Sequence, residues 1–239
     1  MRRPWWIAGV ALAAIGLAAG AAYFGFGNRM EAAAVSAPAT QQAAPSAAET
    51  AAQPRQTADN STQPALYPDD AVLGSDQAPI TMIEYASLTC PHCASFHNLT
   101  LPQIKTNYID KGLVRLVYRD FPLDGTALRA ALLAHCAPKE SYFAMLEVLF
   151  RSQDDWALTS DPLKALAQIG RTAGIDQPAF DACMADDAAK TRIIERVQEA
   201  AKTFNIESTP SFVINGQKRS GAASFEEFDK VLKDLLPKS

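Results

Sequence analysis

The sequence predicts a mixed α/β (α+β) domain in which a βαβ half and a ββα half are separated by an inserted block of helices. Three observations carry this. Two alternating, β-rich runs, ITMIEY at 80–85 and LVRLVYR at 113–119, flank a helical stretch. From about 124 to 204 the pattern is helical throughout. Then SFVI at 211–214, Asn215-Gly216 and QKR at 217–219 read as a tight hairpin, followed by an amphipathic segment.

Each element has a local reason. Residues 80–85 alternate in the period of a half-buried strand. A helix is expected from 94 to about 108, kinked at Pro102, because proline removes one donor from the ladder. Residues 113–119 repeat the strand pattern, and the crossover of such a βαβ unit is right-handed. In the helical block, Asp124 is placed to cap a helix through Cys136, and 139–151 forms a second. Asp161-Pro162 opens a third, with proline in the first turn, and Gly174 ends it. Asp176 caps a short fourth around 180–183. A fifth runs 188–204, with Ile193, Ile194, Val197 and Ala201 on its buried face. Asn215-Gly216 suits a two-residue turn that needs positive φ twice. An amphipathic helix at 225–236 closes the chain.

The chain has 239 residues, 48% of them hydrophobic, but many are alanines crowded into the first 60. Residues 5–27 carry no charge and exceed the roughly 20 apolar residues that cross a bilayer core as helix. They are predicted to be a retained transmembrane anchor, with residues 1–4, including Arg2 and Arg3, on the cytoplasmic side. The alternative is a cleaved export signal, for which the alanines at 32–34 offer a site. Residues 28–68 are mostly Ala, Gln, Ser, Thr and Pro, with Pro38, Pro45, Pro54 and Pro64 breaking any alanine helix. Such a segment buries too little to order itself. It is predicted to be a disordered tether spanning on the order of 35 Å, followed by one domain at 69–239. Net charge is −4, and no basic stripe points to nucleic acid.

The chemistry-bearing residues cluster around three features. Cys90-Pro91-His92-Cys93 lies at the first strand-to-helix junction, Glu84 lies in the strand before it, and Thr209-Pro210 immediately precedes the hairpin strand. In this frame the region 69–239 resembles the DsbA-like thiol:disulfide oxidoreductases, which have a thioredoxin fold with a helical insertion. The resemblance implies catalysis by Cys90 and Cys93, tuned by Pro91, His92 and Glu84. It implies a cis peptide at Pro210 and a substrate-pairing backbone at Thr209. It also implies reduced exported proteins as substrates, a quinone-coupled DsbB-like membrane protein as reoxidant, a periplasmic location, and no need for cofactor or metal.

The residues themselves support that chemistry. A cysteine at a helix N-terminus faces unpaired N–H groups, which stabilise a thiolate. They bring its pKa from about 8.5 to roughly 3.5–7.5. The helix dipole supplies only about 0.3–2 kcal/mol, so direct hydrogen bonds and His92 are expected to supply the rest. Cys93, inside the first turn, is expected to be shielded. Glu84, if buried, would titrate high and could pass protons to Cys93. The alternatives are a solvated Glu84 and a purely structural Cys90–Cys93 bond.

Cys136 and Cys183 sit on apolar helix faces and both read as buried. In an oxidising compartment they are expected to pair, the alternative being two unpaired core thiols. Two other functions use the same residues. One is a reductase or isomerase running the exchange in reverse, for example in cytochrome c maturation. The other is a metal or copper module built on Cys90, Cys93 and His97, with His92 as a fourth ligand. His135 reads as a surface histidine.

Overall fold

In the computed structural model, residues 63–237 are described. The expected anchor, and all but the end of the expected tether, lie outside these residues. Among the described residues no helix is long and apolar enough to cross a membrane.

Five strands form one sheet in the order β1-β3-β2-β4-β5. They are β1 (Ala71–Leu73), β2 (Ile80–Ala86), β3 (Val114–Asp120), β4 (Ser211–Ile214) and β5 (Gln217–Ser220). β2 and β3 are parallel, and the other pairings are antiparallel. The short β1, at the edge, has no sequence pattern long enough to announce it. Asn215 and Gly216 both take positive φ, 44° and 85°, which makes the tight β4–β5 turn. Asn215 Oδ1 also accepts from Thr81 N at 2.8 Å, tying the turn to β2.

Between β2 and β3 the chain is helical in four pieces. These are α1 (Pro91–Ser95), a π-helical turn Phe96–Thr100, α2 (Leu101–Ile104) and a second π turn Lys105–Ile109. The helix widens just before Pro102, whose ring and missing N–H disrupt the α ladder. The insertion comprises α3 (Gly125–Cys136), α4 (Tyr142–Arg151), α5 (Gln153–Ala157), α6 (Pro162–Thr172), α7 (Gln177–Met184) and α8 (Asp187–Phe204). The first turn of the expected 139–151 helix is a 3₁₀ turn, Lys139–Ser141. Asp124, Asp161, Asp176 and Asp186 cap α3, α6, α7 and α8 with side-chain bonds of 2.8–3.0 Å, each worth about 1 kcal/mol. Finally α9 (Phe225–Leu235) starts with a capping box between Ser224 and Glu227.

Strand alternation divides the core. Ile80, Met82, Leu116, Phe212 and Ile214 pack with Phe96, Ile104, Phe228 and Leu232 of the crossover helices and α9. Ile83, Tyr85, Val117 and Val213 pack on the opposite side with Ala200 of α8 and Ile206. A third cluster joins Cys90, Cys93 and Tyr118 to α3–α8.

Two expectations are corrected. Ile194 is 45% exposed and Ala201 is exposed; the buried face of α8 is Ala189, Ile193 and Ala200. The folded part also begins before residue 69. Gln63 Oε1 accepts from Gly216 N, Ala65 O accepts from Arg119, and the Tyr67 ring lies between the Arg119 and Arg196 guanidinium groups at 4.3 and 4.1 Å.

Candidate active site

β2 ends at Ala86, and a four-residue loop turns the chain into α1. Cys90 occupies the N-cap with extended φ and ψ, and Pro91 is the first helical residue. This is the position where Ser or Asp would accept from the first free amides. Here a sulfur occupies it. Cys90 is 6% exposed and Cys93, one turn inward, is fully buried; the two are unlinked thiols in the structure.

The two sulfurs sit in opposite electrostatic settings. The Cys90 pKa falls from 9.0 to about 5. The Cys93 thiol, donating to the Cys90 sulfur, contributes most. Burial opposes it, and the Thr209 side chain and the amides of Cys93 and His92 add to the lowering. Those amides face the sulfur without closing a full capping bond of the kind Asp124 makes. Cys93 moves strongly upward, first by burial, then because it donates to Cys90, then by the nearby Glu84 charge. The pair is therefore pre-sorted into one thiolate and one thiol.

His92 is exposed, and it acts on Cys90 through its backbone amide. The expected tuning by its ring is thus replaced by tuning from the chain itself. The Thr209–Pro210 peptide is cis. The Thr209 carbonyl lies 3.4 Å from Cys90 Sγ and accepts from it only when Cys90 is protonated. The Thr209 hydroxyl is buried with no partner of ordinary geometry, so it is free to donate to a Cys90 thiolate.

Glu84 is fully buried. Its Oε2 lies 2.9 Å from His97 Nε2, while Oε1 has no partner. His97 stacks on Phe150 at 4.1 Å and meets Phe96 and Tyr118 edge-on. The metal reading of Cys90, Cys93, His92 and His97 meets a different geometry, because His97 turns inward to Glu84 and His92 outward. Among the described residues no three His, Cys, Asp or Glu side chains are grouped to hold an ion.

Two contacts that hold the loop escaped the sequence reading, one of them made by a residue already read as a cap. Gln153, 6% exposed at the start of α5, donates from Nε2 to the carbonyls of Leu88 and Cys90 at 2.7 and 3.1 Å. Asp124 accepts from the Thr89 hydroxyl at 2.6 Å with its second oxygen while capping α3 with its first. The insertion therefore grips the catalytic loop directly. A run as short as α5 gives no periodicity to detect, though a glutamine beside Trp156 in an otherwise acidic turn was a visible oddity.

Cys136 and Cys183 are joined, with Cα atoms 6.2 Å apart, linking α3 to α7. Both are half-buried rather than buried. His135 Nε2 lies 2.7 Å from Asp120 Oδ2. Burial lowers its pKa, but the Asp120 charge and hydrogen bond prevail and raise it.

This geometry has clear relatives. A family profile described as thioredoxin matches residues 67–234. A Rickettsia bellii protein, named provisionally as a protein-disulfide oxidoreductase, is 32% identical over 149 residues, covering 62% of this chain and 58% of that protein. The chain thus spans a little over half the length of the rickettsial relatives it matches. The crystal structure of α-DsbA1 from Wolbachia pipientis superimposes with a TM-score of 0.67 at 36% identity, covering 71% of this chain and 92% of that one. A protein-disulfide isomerase structure from Novosphingobium aromaticivorans gives 0.62 at 25%, over 70% and 97%. With its CxxC pair at the helix head, its cis proline alongside and its helical insertion, the chain belongs to the thioredoxin family, among the DsbA-like thiol:disulfide oxidoreductases.

Proposed function

We propose that the protein is a dithiol oxidase that donates the Cys90–Cys93 disulfide to reduced exported proteins. The observation that carries this direction is the unequal pair of sulfurs. A Cys90 pKa of about 5 against an ordinary 9.0 stabilises the reduced protein at neutral pH by about 3 kcal/mol, since only the span from pH 5 to 7 is expressed there. For a two-electron couple that is about 60 mV toward the oxidising side. The fold thus favours its own reduced form, which makes its disulfide a good donor.

The exchange needs no cofactor. A substrate thiolate attacks Cys90 Sγ, and the bond to Cys93 breaks with its electron pair on Cys93. A second substrate thiolate attacks the substrate sulfur of the mixed disulfide, and Cys90 departs as a stabilised thiolate. The Thr209 carbonyl, beside Cys90, offers an acceptor for an extended substrate backbone. Reoxidation by a quinone-coupled membrane protein of the DsbB type follows from the family likeness. The charge-free run at 5–27 supports a membrane-tethered, periplasmic setting for these partners.

Equilibration with glutathione redox buffers tests the direction. A potential well above that of the glutathione pool supports the oxidase. A value near thioredoxin's, about −270 mV, supports the reductase reading; the isomerase reading, to which the likeness to the Novosphingobium isomerase points, is supported instead by rescue of a scrambled-disulfide substrate.

A further inference from the structure

Cys93 poses a proton problem that the two sulfurs alone do not solve. When the disulfide is reduced, Cys93 receives the electron pair of the broken bond. Its thiolate is costly in that buried site, so it must gain one proton. Cys90 leaves as a thiolate and needs none. Of the two protons given up by a substrate dithiol, one therefore ends on Cys93 and one in solvent, and reoxidation returns the first. Cys93 has no exposure, and a substrate joined to Cys90 covers the mouth of the site.

Behind Cys93 lies an unusual run of buried polar atoms. Glu84 Oε1, Tyr118 Oη and Tyr142 Oη are all buried without a hydrogen-bond partner. Buried polar atoms are ordinarily satisfied, so three in one place mark a feature with a purpose or with internal water. The residues that carry them are neighbours. Glu84 and Tyr118 are in-register neighbours on β2 and β3. Tyr118 and Tyr142 have ring centroids 6.1 Å apart. The Tyr142 hydroxyl faces the Asp120 carboxylate without closing a bond to it, and its ring lies 5.0 Å from that of His135. Asp120 holds His135, whose side chain is 37% exposed. A cavity of about 30 Å³ adjoins Tyr118, Asp120 and His135, room for one water.

We propose that Tyr118, Tyr142 and the Asp120–His135 pair form an inner proton route that connects Cys93, through Glu84, to solvent beside α3. The hydroxyls and intervening water each accept on one side and donate on the other, so a proton passes along the row with no net change in either tyrosine. The charged groups along the route are Glu84 and His97 at the inner end, and Asp120, His135, Asp69, Asp70, Arg119 and Arg196 at the outer end. The proposal rests on dithiol–disulfide exchange at Cys90 and Cys93 and holds for either direction.

The test mixes the reduced full chain with oxidised glutathione and quenches with acid. Cys90 attacks first, releasing one glutathione thiolate and forming a Cys90–glutathione disulfide. Cys93 must then lose its proton, attack Cys90 Sγ and expel the second glutathione. Tyr118→Phe and Tyr142→Phe delete hydroxyls that have no protein partner, so the thermal midpoint is expected to move little. In both variants the mixed disulfide should accumulate, and its conversion should slow by about a hundredfold, the low side of what positioned proton transfer contributes. The first step and the Cys90 titration should stay as in the parent. Asp120→Asn, at the outer end, should slow the same step and serves if a tyrosine variant fails to fold. Conversion at the parent rate in these variants would overturn the route, as would a slowing that comes with a moved Cys90 titration. Failure of the dithiol reading is distinguishable, because no glutathione would then join Cys90 in the parent.

Discussion

Two buried polar pairs are anchored on neighbouring strands, and they are finished differently. Arg119 of β3 meets Asp70 through two nitrogens at 2.7 and 3.2 Å, and also donates to Tyr85 Oη and Ala65 O. Tyr67 covers its face. Glu84 of β2 has His97 on one oxygen and nothing on the other. A buried ion pair with every lone pair and proton satisfied fixes structure. A buried carboxyl with one oxygen left free beside a reactive sulfur retains the capacity to exchange a proton. The first pair clamps the N-terminal strap to the sheet, and the second sits beside Cys93.

The largest test of this contrast uses pH. Cys90 has a depressed pKa in the folded, reduced protein, so its stabilisation is fully present above the unfolded value of 9.0 and lost as pH falls through about 5. The stability of the reduced protein relative to the oxidised should therefore rise by about 5 kcal/mol from pH 5 to 9, at about 1.4 kcal/mol per unit. Cys93, pushed upward, works oppositely only above pH 9. The Arg119–Asp70 pair is common to both redox forms and cancels from the difference, which paired denaturant titrations measure.

Arg119→Leu comes next. It strands Asp70 as a buried carboxylate and should cost about 3–5 kcal/mol in unfolding experiments, with the Cys90 titration unmoved. Equal destabilisation by Glu84→Gln would erase the distinction between the pairs. Glu84→Gln should instead change stability by no more than about 1 kcal/mol while slowing closure of the Cys90–Cys93 bond. Gln153→Ala leaves the Leu88 carbonyl without its side-chain donor and should cost about 1–3 kcal/mol, read by thermal unfolding. The smallest effect belongs to His92→Ala. Because the amide rather than the ring meets the sulfur, the Cys90 midpoint should move by less than about half a unit, under about 0.7 kcal/mol.

What the sequence disclosed follows from locality. The caps at Asp124, Asp161 and Asp176, the Asn215-Gly216 turn and the placing of Cys90 at a helix head are each decided within a few residues, so they can be read directly. The partners of Glu84, Asp70 and Gln153 come from distant strands and helices. His97 is on the inner face of the crossover helix one turn past Cys93, yet only the packed Phe150 and Tyr118 show that it faces Glu84 rather than an ion. Ile194 misled because an apolar residue satisfies helical periodicity whether or not a neighbour covers it. Tyr67 and Arg196 were invisible as a unit because their meeting depends on where the strap crosses α8.

The central claim is that Cys90 is a thiolate at neutral pH because its surroundings, above all the Cys93 thiol, donate to it. Following the ultraviolet thiolate absorbance of the reduced protein against pH tests this most directly. The account predicts a single transition near pH 5, absent in Cys90→Ser. A midpoint at the ordinary cysteine value, about 8.5, would contradict it.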